Sequence, residues 1–325
     1  MSDVTDRVLT ALREQDDWCS GERIGAFLNI SRASVSKHIA ALRRLGYDIQ
    51  SVSRRGHRLI TAPNMPYPAE VRRHLRSARI GQCLHYVPDI DSTNTRAAAD
   101  AKAGAAEGTV WVSDQQSAGR GRMDRTWHSA PGANLYASVI LRPSVPVNRI
   151  SEIGLVAAVA IERALLACHP DLAALIKWPN DILVERRKLC GVLCESEVEA
   201  DAIHFAIIGF GINVNETSFP AALKPTATSL CLELGREVSR PELLAAVLNA
   251  LDDAYGDWLA AEDLSPFLPY LEAHSVLQGR DVTVSTFRET LRGRVQSMSP
   301  SGELILVRDK QTTVVSAGDV TVRGW

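Results

Sequence analysis

No apolar run in this chain is long enough to cross a bilayer, because charges interrupt each one well short of the roughly 20 residues a spanning helix needs. The polar, charged opening residues offer no signal-peptide core, so the sequence reads as soluble and cytoplasmic. Cysteine is sparse and unpatterned. The six (Cys19, Cys83, Cys168, Cys190, Cys194 and Cys231) form neither a CxxC pair nor a disulfide framework, and no histidine cluster accompanies Cys190 and Cys194. Buried free thiols are therefore expected rather than a structural zinc site. Excess charge is missing too, and a net charge of −2 excludes nucleic-acid binding by bulk charge alone. Neither a GxxxxGK(S/T) phosphate loop nor an HExxH zinc motif occurs, and the eight dispersed histidines suit no Ser-His-Asp arrangement. Gly209-Phe210-Gly211 lacks the third glycine of a dinucleotide fingerprint, and a bulge at a strand end is its plainer reading.

What is present fills 325 residues, too many for one ordinary domain, with enough apolar residues (46%) to give each part a core. Over the first sixty or so, helical periodicity puts Val8, Leu9 and Leu12 on one face across 6–14, followed by a short helix over 22–28 and a turn at Asn29-Ile30. Ser31 is the expected N-cap of a third helix beginning at Arg32, with Val35, Ile39 and Leu42 on its buried side and Gly46 at its end. Strands over 49–53 and 57–60 then flank Arg54-Arg55-Gly56. That order describes a winged helix-turn-helix. Charge is concentrated here: residues 31–60 hold seven cations (Arg32, Lys37, Arg43, Arg44, Arg54, Arg55, Arg58) against Asp48, a formal +6. Arg32, Ser34 and Lys37 are the candidate DNA readers, with Arg54 and Arg55 as wing contacts to phosphate. His38 reads as a flank residue.

Pro63, Pro66 and Pro68 stiffen a linker, after which a basic helix is expected over 69–75. Strands are expected over 84–87, 109–112, 134–139, 173–177, 182–185, 188–195 and 203–213. An alanine-rich helix opened by Asp91-Ser92-Thr93-Asn94 runs to 102, and further helices cover 150–167 and 241–259. Several of the strands follow one another through short turns, which predicts a mixed sheet with antiparallel pairing dominant. Past 276 the pattern changes to short β runs over 281–285, 291–295, 303–307 and 312–315, the size of an SH3-like barrel. The fold class is thus multidomain α+β, with domains over 1–62, 63–275 and 276–325.

Chemistry concentrates in three places. Gly119-Arg120-Gly121-Arg122 lies in a loop over 113–132 and pairs two permanently charged forks with two unrestrained backbone positions, a combination suited to closing over an anion. Gln116 and Trp127 belong to the same loop. Ser92, Thr93 and Asn94 put hydroxyls and an amide where a helix start exposes free N–H groups, although a plain cap explains them equally well. Lys177-Trp178-Pro179-Asn180-Asp181 places a cation, an indole and an amide at a strand end, with Lys188 opening the next strand. Together they suit an anionic ligand that carries a flat base.

These stretches, in this order, resemble the biotin protein ligase family. The resemblance rests on Asp91–Asn94, on Gln116 through Arg122, on Arg125-Thr126-Trp127, on Lys177 through Asp181, on Lys188-Leu189-Cys190-Gly191 and on Gly209 through Asn215. Residues 31–39 are similar to the DNA-reading segment of the bifunctional members that repress the biotin operon. The resemblance extends over essentially the whole chain. Lipoate ligases share the general fold but lack the paired GRGR and KWPND motifs.

The resemblance implies a class II synthetase-like ligase domain that forms biotinyl-5′-AMP from biotin and ATP with Mg²⁺. Biotin would then pass to a lysine of the biotin carboxyl carrier protein of acetyl-CoA carboxylase. It implies Arg120, Arg122 and Lys188 as the catalytic cations. Ser92, Thr93, Asn94, Gln116, Gly119, Gly121 and Gly191 would join them around biotin, and Trp127, Lys177, Asn180, Asp181 and Asn213 would line the nucleotide side. Metal ligands are not identified. A homodimer on operator DNA is the implied regulatory form, the alternative being a ligase whose helix-turn-helix has a structural or different regulatory role. One departure stands out. The family's usual GRGRRGR loop has Arg-Gly where this chain has Met123-Asp124, a local loss of two units of positive charge. A looser hold on the adenylate is expected from it, while aspartate's tolerance of left-handed backbone lets the turn survive.

Overall fold

A computed structural model of the chain describes residues 3–14, 17–199, 201–286 and 289–322. The terminal residues of the expected outer domains lie outside that range. Two compact units emerge, Met1–Met65 and Pro66–Trp325.

The first unit holds α1 (Asp3–Arg13), α2 (Gly21–Leu28), α3 (Arg32–Arg44) and an antiparallel hairpin of β1 (Asp48–Val52) and β2 (Gly56–Thr61). Ser31 caps α3 by accepting the Ser34 N–H at 3.1 Å, and Ser20 caps α2 in the same way from Arg23. Each cap satisfies a donor that the first helical turn would otherwise leave bare. Val8, Leu9, Leu12, Ile24, Val35, Ile39 and Leu42 are buried together, as the 3.6-residue period requires.

In the second unit the expected helix over 69–75 shrinks to the single turn α4 (Pro68–Val71). The reason is Asn249, whose Oδ1 takes the Arg76 and Ser77 N–H groups at 2.7 and 2.9 Å while its Nδ2 donates to the His74 carbonyl. A side chain that satisfies three backbone groups removes the gain from further helical turns. The chain then builds β3 (Leu84–Ile90), α5 (Thr93–Lys102), β4 (Val110–Gln116), β5 (Leu135–Leu141), α6 (Ile153–Cys168), β6 (Ala174–Lys177), β7 (Asp181–Val184), β8 (Arg187–Glu199) and β9 (Ala202–Ile212). These strands form one seven-stranded sheet in the order β3-β4-β5-β9-β8-β7-β6. Only β3 and β4 run parallel, with α5 as their crossover; every other neighbour is antiparallel.

Strand alternation assigns the two faces. Val139, Leu141, Ala206 and Ile208 join α6 and the later helix Arg240–Ala260 in the main core, whereas Ile140 and Ile207 pack with Trp111 against Ala97 and Ala101 of α5. Each large aliphatic fully buried there contributes roughly 1.5–3 kcal/mol relative to exposure. The main core is completed by α7 (Leu230–Leu234), α8 (Arg240–Ala260) and α9 (Leu268–Ala273), of which α7 and α9 escaped the sequence reading. A five-stranded antiparallel sheet ends the chain: β10 (Asp281–Ser285), β11 (Thr290–Met298), β12 (Leu304–Arg308), β13 (Gln311–Val315) and β14 (Asp319–Val322), in the order β13-β12-β11-β10-β14. Its Val282, Val295, Leu304 and Leu306 are buried in the same core as the larger sheet. All six cysteines are free, but only Cys19 and Cys190 are buried, and Cys83 and Cys168 are exposed, contrary to expectation.

Candidate active site and DNA-reading face

The site grows from a floor without side chains. Gly209 and Gly211 sit inside β9 in unbroken register with β5, and Gly191 of β8 pairs with Gly211. The expected strand-end bulge is therefore absent, and the glycines have a different purpose. A Cβ on Gly211 would lie 2.5 Å from the Trp127 indole, one on Gly191 2.8 Å from it, and one on Gly209 within 1.8 Å of the Asn94 side chain. Odd-numbered residues of β9 face α5, so three glycines on that face let an indole and a buried amide lie directly on the backbone.

Around this floor runs a chain of hydrogen bonds. Gln116 is the last residue of β4 rather than part of the loop, and its Oε1 accepts from the Thr93 N–H at 2.9 Å and the Thr93 hydroxyl at 3.2 Å. The Ser138 hydroxyl donates to Asn94 Oδ1 at 2.6 Å and lies 2.8 Å from the Thr93 hydroxyl. Ser92 occupies the N-cap position of α5 yet makes no capping bond, so the simple cap does not account for it.

The Gly/Arg loop folds into a small hairpin. Arg120 bridges Thr126, and the Gly121 N–H donates to the Arg125 carbonyl at 2.6 Å. Met123 and Asp124 at its tip both have left-handed backbone, φ 56° and 57°. Two successive left-handed residues are what a tight hairpin turn requires, so the turn survives the loss of the usual glycine. The Arg120 guanidinium meets Glu195, Arg122 Nη1 donates to Asn180 Oδ1 at 3.2 Å, and Arg125 pairs with Asp319 of the last strand. Gly119 packs beneath the hairpin, where a Cβ would strike the Trp127 carbonyl at 2.6 Å.

Opposite stands the turn from Lys177 to Asp181, which contains a cis Trp178–Pro179 bond. Trp178 is buried and donates its indole N–H to the Gly302 carbonyl at 2.9 Å. Asn180 is bound at both ends of its residue to Val192 backbone, at 2.6 and 2.9 Å. Burial pushes the Lys177 amine below the ordinary lysine range, an effect that nearby Asp181 opposes. Lys188 Nζ lies 2.7 Å from Asp181 and 5.1 Å from the centre of the Trp127 ring.

A cavity of about 360 Å³ brings together Ser92, Thr93, Asn94, Gln116, Arg120, Gly121, Arg122, Trp127, Lys177, Asn180, Asp181, Lys188 and Gly191. Two predicted residues lie elsewhere. Gly119 supports the hairpin from behind, and Asn213 lines an adjoining cavity of about 370 Å³ with Phe219, Leu223 and Ala227. Asn213 also donates to the Thr228 carbonyl at 2.9 Å, tying the end of β9 to that wall. Trp127 and Lys188 border both spaces, and the Trp127 N–H is buried without a hydrogen-bond partner. The sequence reading quoted Arg125 and Thr126 without giving them a role, and it missed Glu195, Asp319 and the apolar wall at 219–227. Of those missed, Glu195 carried a signal, since it falls two steps of two from Gly191 along a predicted strand.

The sequence profile of the biotin/lipoate A/B protein ligase family matches residues 86–213, and a helix-turn-helix profile matches residues 5–58. The bifunctional ligase/repressor BirA of Bacillus spizizenii is 36% identical over 306 residues, 94% of this chain and 94% of its own length. This chain belongs to the biotin protein ligase family. A biotin–(acetyl-CoA-carboxylase) ligase of Paracoccus denitrificans is 32% identical over 242 residues, which span 72% of this chain and 98% of that protein. Among solved structures, the biotin protein ligase from Aquifex aeolicus in complex with biotin and ATP superposes with a TM-score of 0.65 at 27% identity, covering 74% of this chain and 99% of that one.

In this family member the N-terminal unit displays its cations unevenly. Arg32, Lys37, Arg54 and Arg55 are exposed and Ser34 is half-buried beside its cap. Arg43, counted in the +6, is spent on structure: it donates to the Ile49 carbonyl at 2.6 Å and the Ser51 hydroxyl at 2.7 Å, fixing the wing to α3. Arg55 lies over the Trp18 ring at 5.0 Å. His38 bonds Thr5 at 2.9 Å, which agrees with its reading as a flank residue.

Proposed function

We propose that this chain is an ATP-dependent biotin protein ligase and a biotin-responsive repressor. The observation that carries the ligase reading is one cavity walled by three arginines, two lysines and the Thr93–Gln116 hydrogen-bond set, beside a second, more apolar space across a shared indole. Biotin would take the first space, with its polar groups toward Ser92, Thr93, Asn94 and Gln116. The adenosine would take the second, by Trp127 and Asn213. A carboxylate oxygen of biotin attacks the α-phosphorus and the bond to pyrophosphate breaks, which gives biotinyl-5′-AMP. Negative charge builds on the phosphoryl oxygens, and Arg120, Arg122, Lys177 and Lys188 are preorganised cations for it. A neutral lysine amine of the biotin carboxyl carrier protein then attacks the acyl carbon, and AMP leaves. Between the steps the hairpin excludes water from an anhydride that hydrolyses readily.

Mg²⁺ would enter as part of the ATP complex. No cluster of three metal-binding side chains occurs among the described residues, and Mg²⁺ needs few protein ligands when phosphates supply oxygens. No helix among the described residues is long and apolar enough to cross a membrane, and we assign the chain to the cytoplasm. The ligase domain is read as class II synthetase-like over 63–275 and the closing five strands as an SH3-like barrel over 276–325, a reading supported by the continuous antiparallel pairing of those strands. The winged unit over 1–62 would read operator DNA through Arg32, Ser34, Lys37, Arg54 and Arg55, as a homodimer because one such unit has a small footprint.

Incubation with ATP, Mg²⁺, labelled biotin and a carrier-protein domain tests the enzyme, with lipoate as the control. Label on the carrier lysine is expected, and its absence overturns the ligase reading. A gel shift with and without biotin and ATP separates repressor from plain ligase.

A further inference from the structure

Glu195 has no part in the chemistry above, yet it closes the polar network around the cavity. It leaves β8 on the same face as Gly191 and Leu193, both of which line that cavity. Its two oxygens meet both ends of the Arg120 guanidinium, Oε1 to Nη2 at 2.8 Å and Oε2 to Nη1 at 3.2 Å. This is the fork-on-fork geometry in which arginine and carboxylate pair most strongly. Asn94 Nδ2 donates to the same Oε2 at 2.8 Å, and Asn94 is itself buried, with its Oδ1 held by Ser138. One carboxylate thus joins the hairpin to the first turn of α5.

We propose that Glu195 is a positioning residue, a latch that holds the Arg120 hairpin against α5 and sets how long an acyl-adenylate stays enclosed. The role rests on the ligase reading. Two acceptor oxygens are needed, because the guanidinium fork and Asn94 Nδ2 together present three donors to Glu195, the Asn94 Oδ1 acceptor being held by Ser138. Glutamine has the same size but offers one oxygen and turns an N–H toward a cation. The hairpin would then swing away while Arg120 itself remains intact.

The latch is tested by limited trypsin digestion of the full chain without ligands, following cleavage after Arg122 and Arg125. Rates are compared for wild type, Glu195→Gln, Arg120→Ala and the double variant. Because the pair is partly exposed, cleavage in Glu195→Gln is expected to rise about fivefold, with no further rise when Arg120 is already alanine. Escape of biotinyl-AMP from preloaded enzyme should accelerate by a similar factor. Unchanged cleavage and escape in Glu195→Gln, or independent effects in the double variant, would overturn the latch. Should Glu195→Gln be cut throughout the chain rather than at the hairpin, Glu195→Asp provides the same comparison. A wild-type chain that forms no biotinyl-AMP sinks the ligase reading, and hairpin cleavage still judges the latch.

Discussion

The turn carrying Arg120 and Arg122 and the turn carrying Lys177 and Asn180 face one cavity, but they are held in opposite ways. The first is tied by side-chain ion pairs whose cations are open to solvent: Arg120 is 48% exposed and Arg125 65%. The second is tied by a buried indole and an amide bonded to backbone. Exposed pairs are screened and break at little cost, whereas buried bonds to backbone leave orphaned groups when broken. On the proposed function, one wall of the site opens and the other stays, as a site that must admit substrates and then exclude water requires.

Crowding the glycine floor on which both walls stand should have the largest effect. Gly211→Val would put its side chain into the Trp127 indole, since even a Cβ lies 2.5 Å from it. Overpacking of this kind costs about 1–3 kcal/mol, so kcat/KM for ATP should fall by roughly 5- to 160-fold. Biotin affinity should change much less, and equal losses for both substrates would show that Trp127 does not divide the two spaces.

Next comes Asn180→Ala, which leaves the Val192 carbonyl without its amide donor. An unmet buried acceptor costs roughly 1–3 kcal/mol, to be read as a lower midpoint in urea unfolding. Arg125→Ala, the corresponding cut on the hairpin side, should leave the unfolding free energy within about 0.5 kcal/mol of wild type because its pair with Asp319 is largely exposed. A larger loss for Arg125→Ala would invert the comparison between the two walls.

How much of this was legible depended on whether the signal was local. Ser31 as a cap, the α3 face and the β8–β9 strands follow from short-range patterns, and the structure has them where the pattern puts them. The truncation of α4 did not follow, because Asn249 acts from more than 170 positions away. Arg125 paired with Asp319 is likewise a contact between distant segments. The glycine floor was half visible: Gly209 and Gly211 stood out as a motif, but the indole they accommodate comes from another loop. Motifs identified the members of the site, and only long-range packing assigned each to a wall.

Asp124→Gly tunes the opening wall and should act more gently. Left-handed backbone costs a residue with a Cβ about 1 kcal/mol and glycine almost nothing, and the substitution also removes an acid from a hairpin that carries Arg120, Arg122 and Arg125. Enzyme-bound biotinyl-AMP should hydrolyse a few-fold more slowly in the variant. Equal rates would sink the idea that Met123-Asp124 loosens the hairpin.

The smallest effect separates the walls by titration. Arginine keeps its charge throughout the accessible range, so the opening wall should not respond to alkaline pH. Lys177 on the fixed wall is different, because burial lowers its pKa from the ordinary value. Its cation should be lost as pH rises through that lowered pKa, and kcat/KM for ATP should decline there, earlier than an ordinary lysine would cause. The stability consequence has the opposite sign. Between the lowered folded pKa and the ordinary unfolded one, the unfolded chain binds more protons, so unfolding free energy from this group rises with pH. Lys177→Arg should move the alkaline decline in kcat/KM to higher pH, because arginine keeps its charge there. A decline that stays in place in Lys177→Arg would transfer the titrating role to another group.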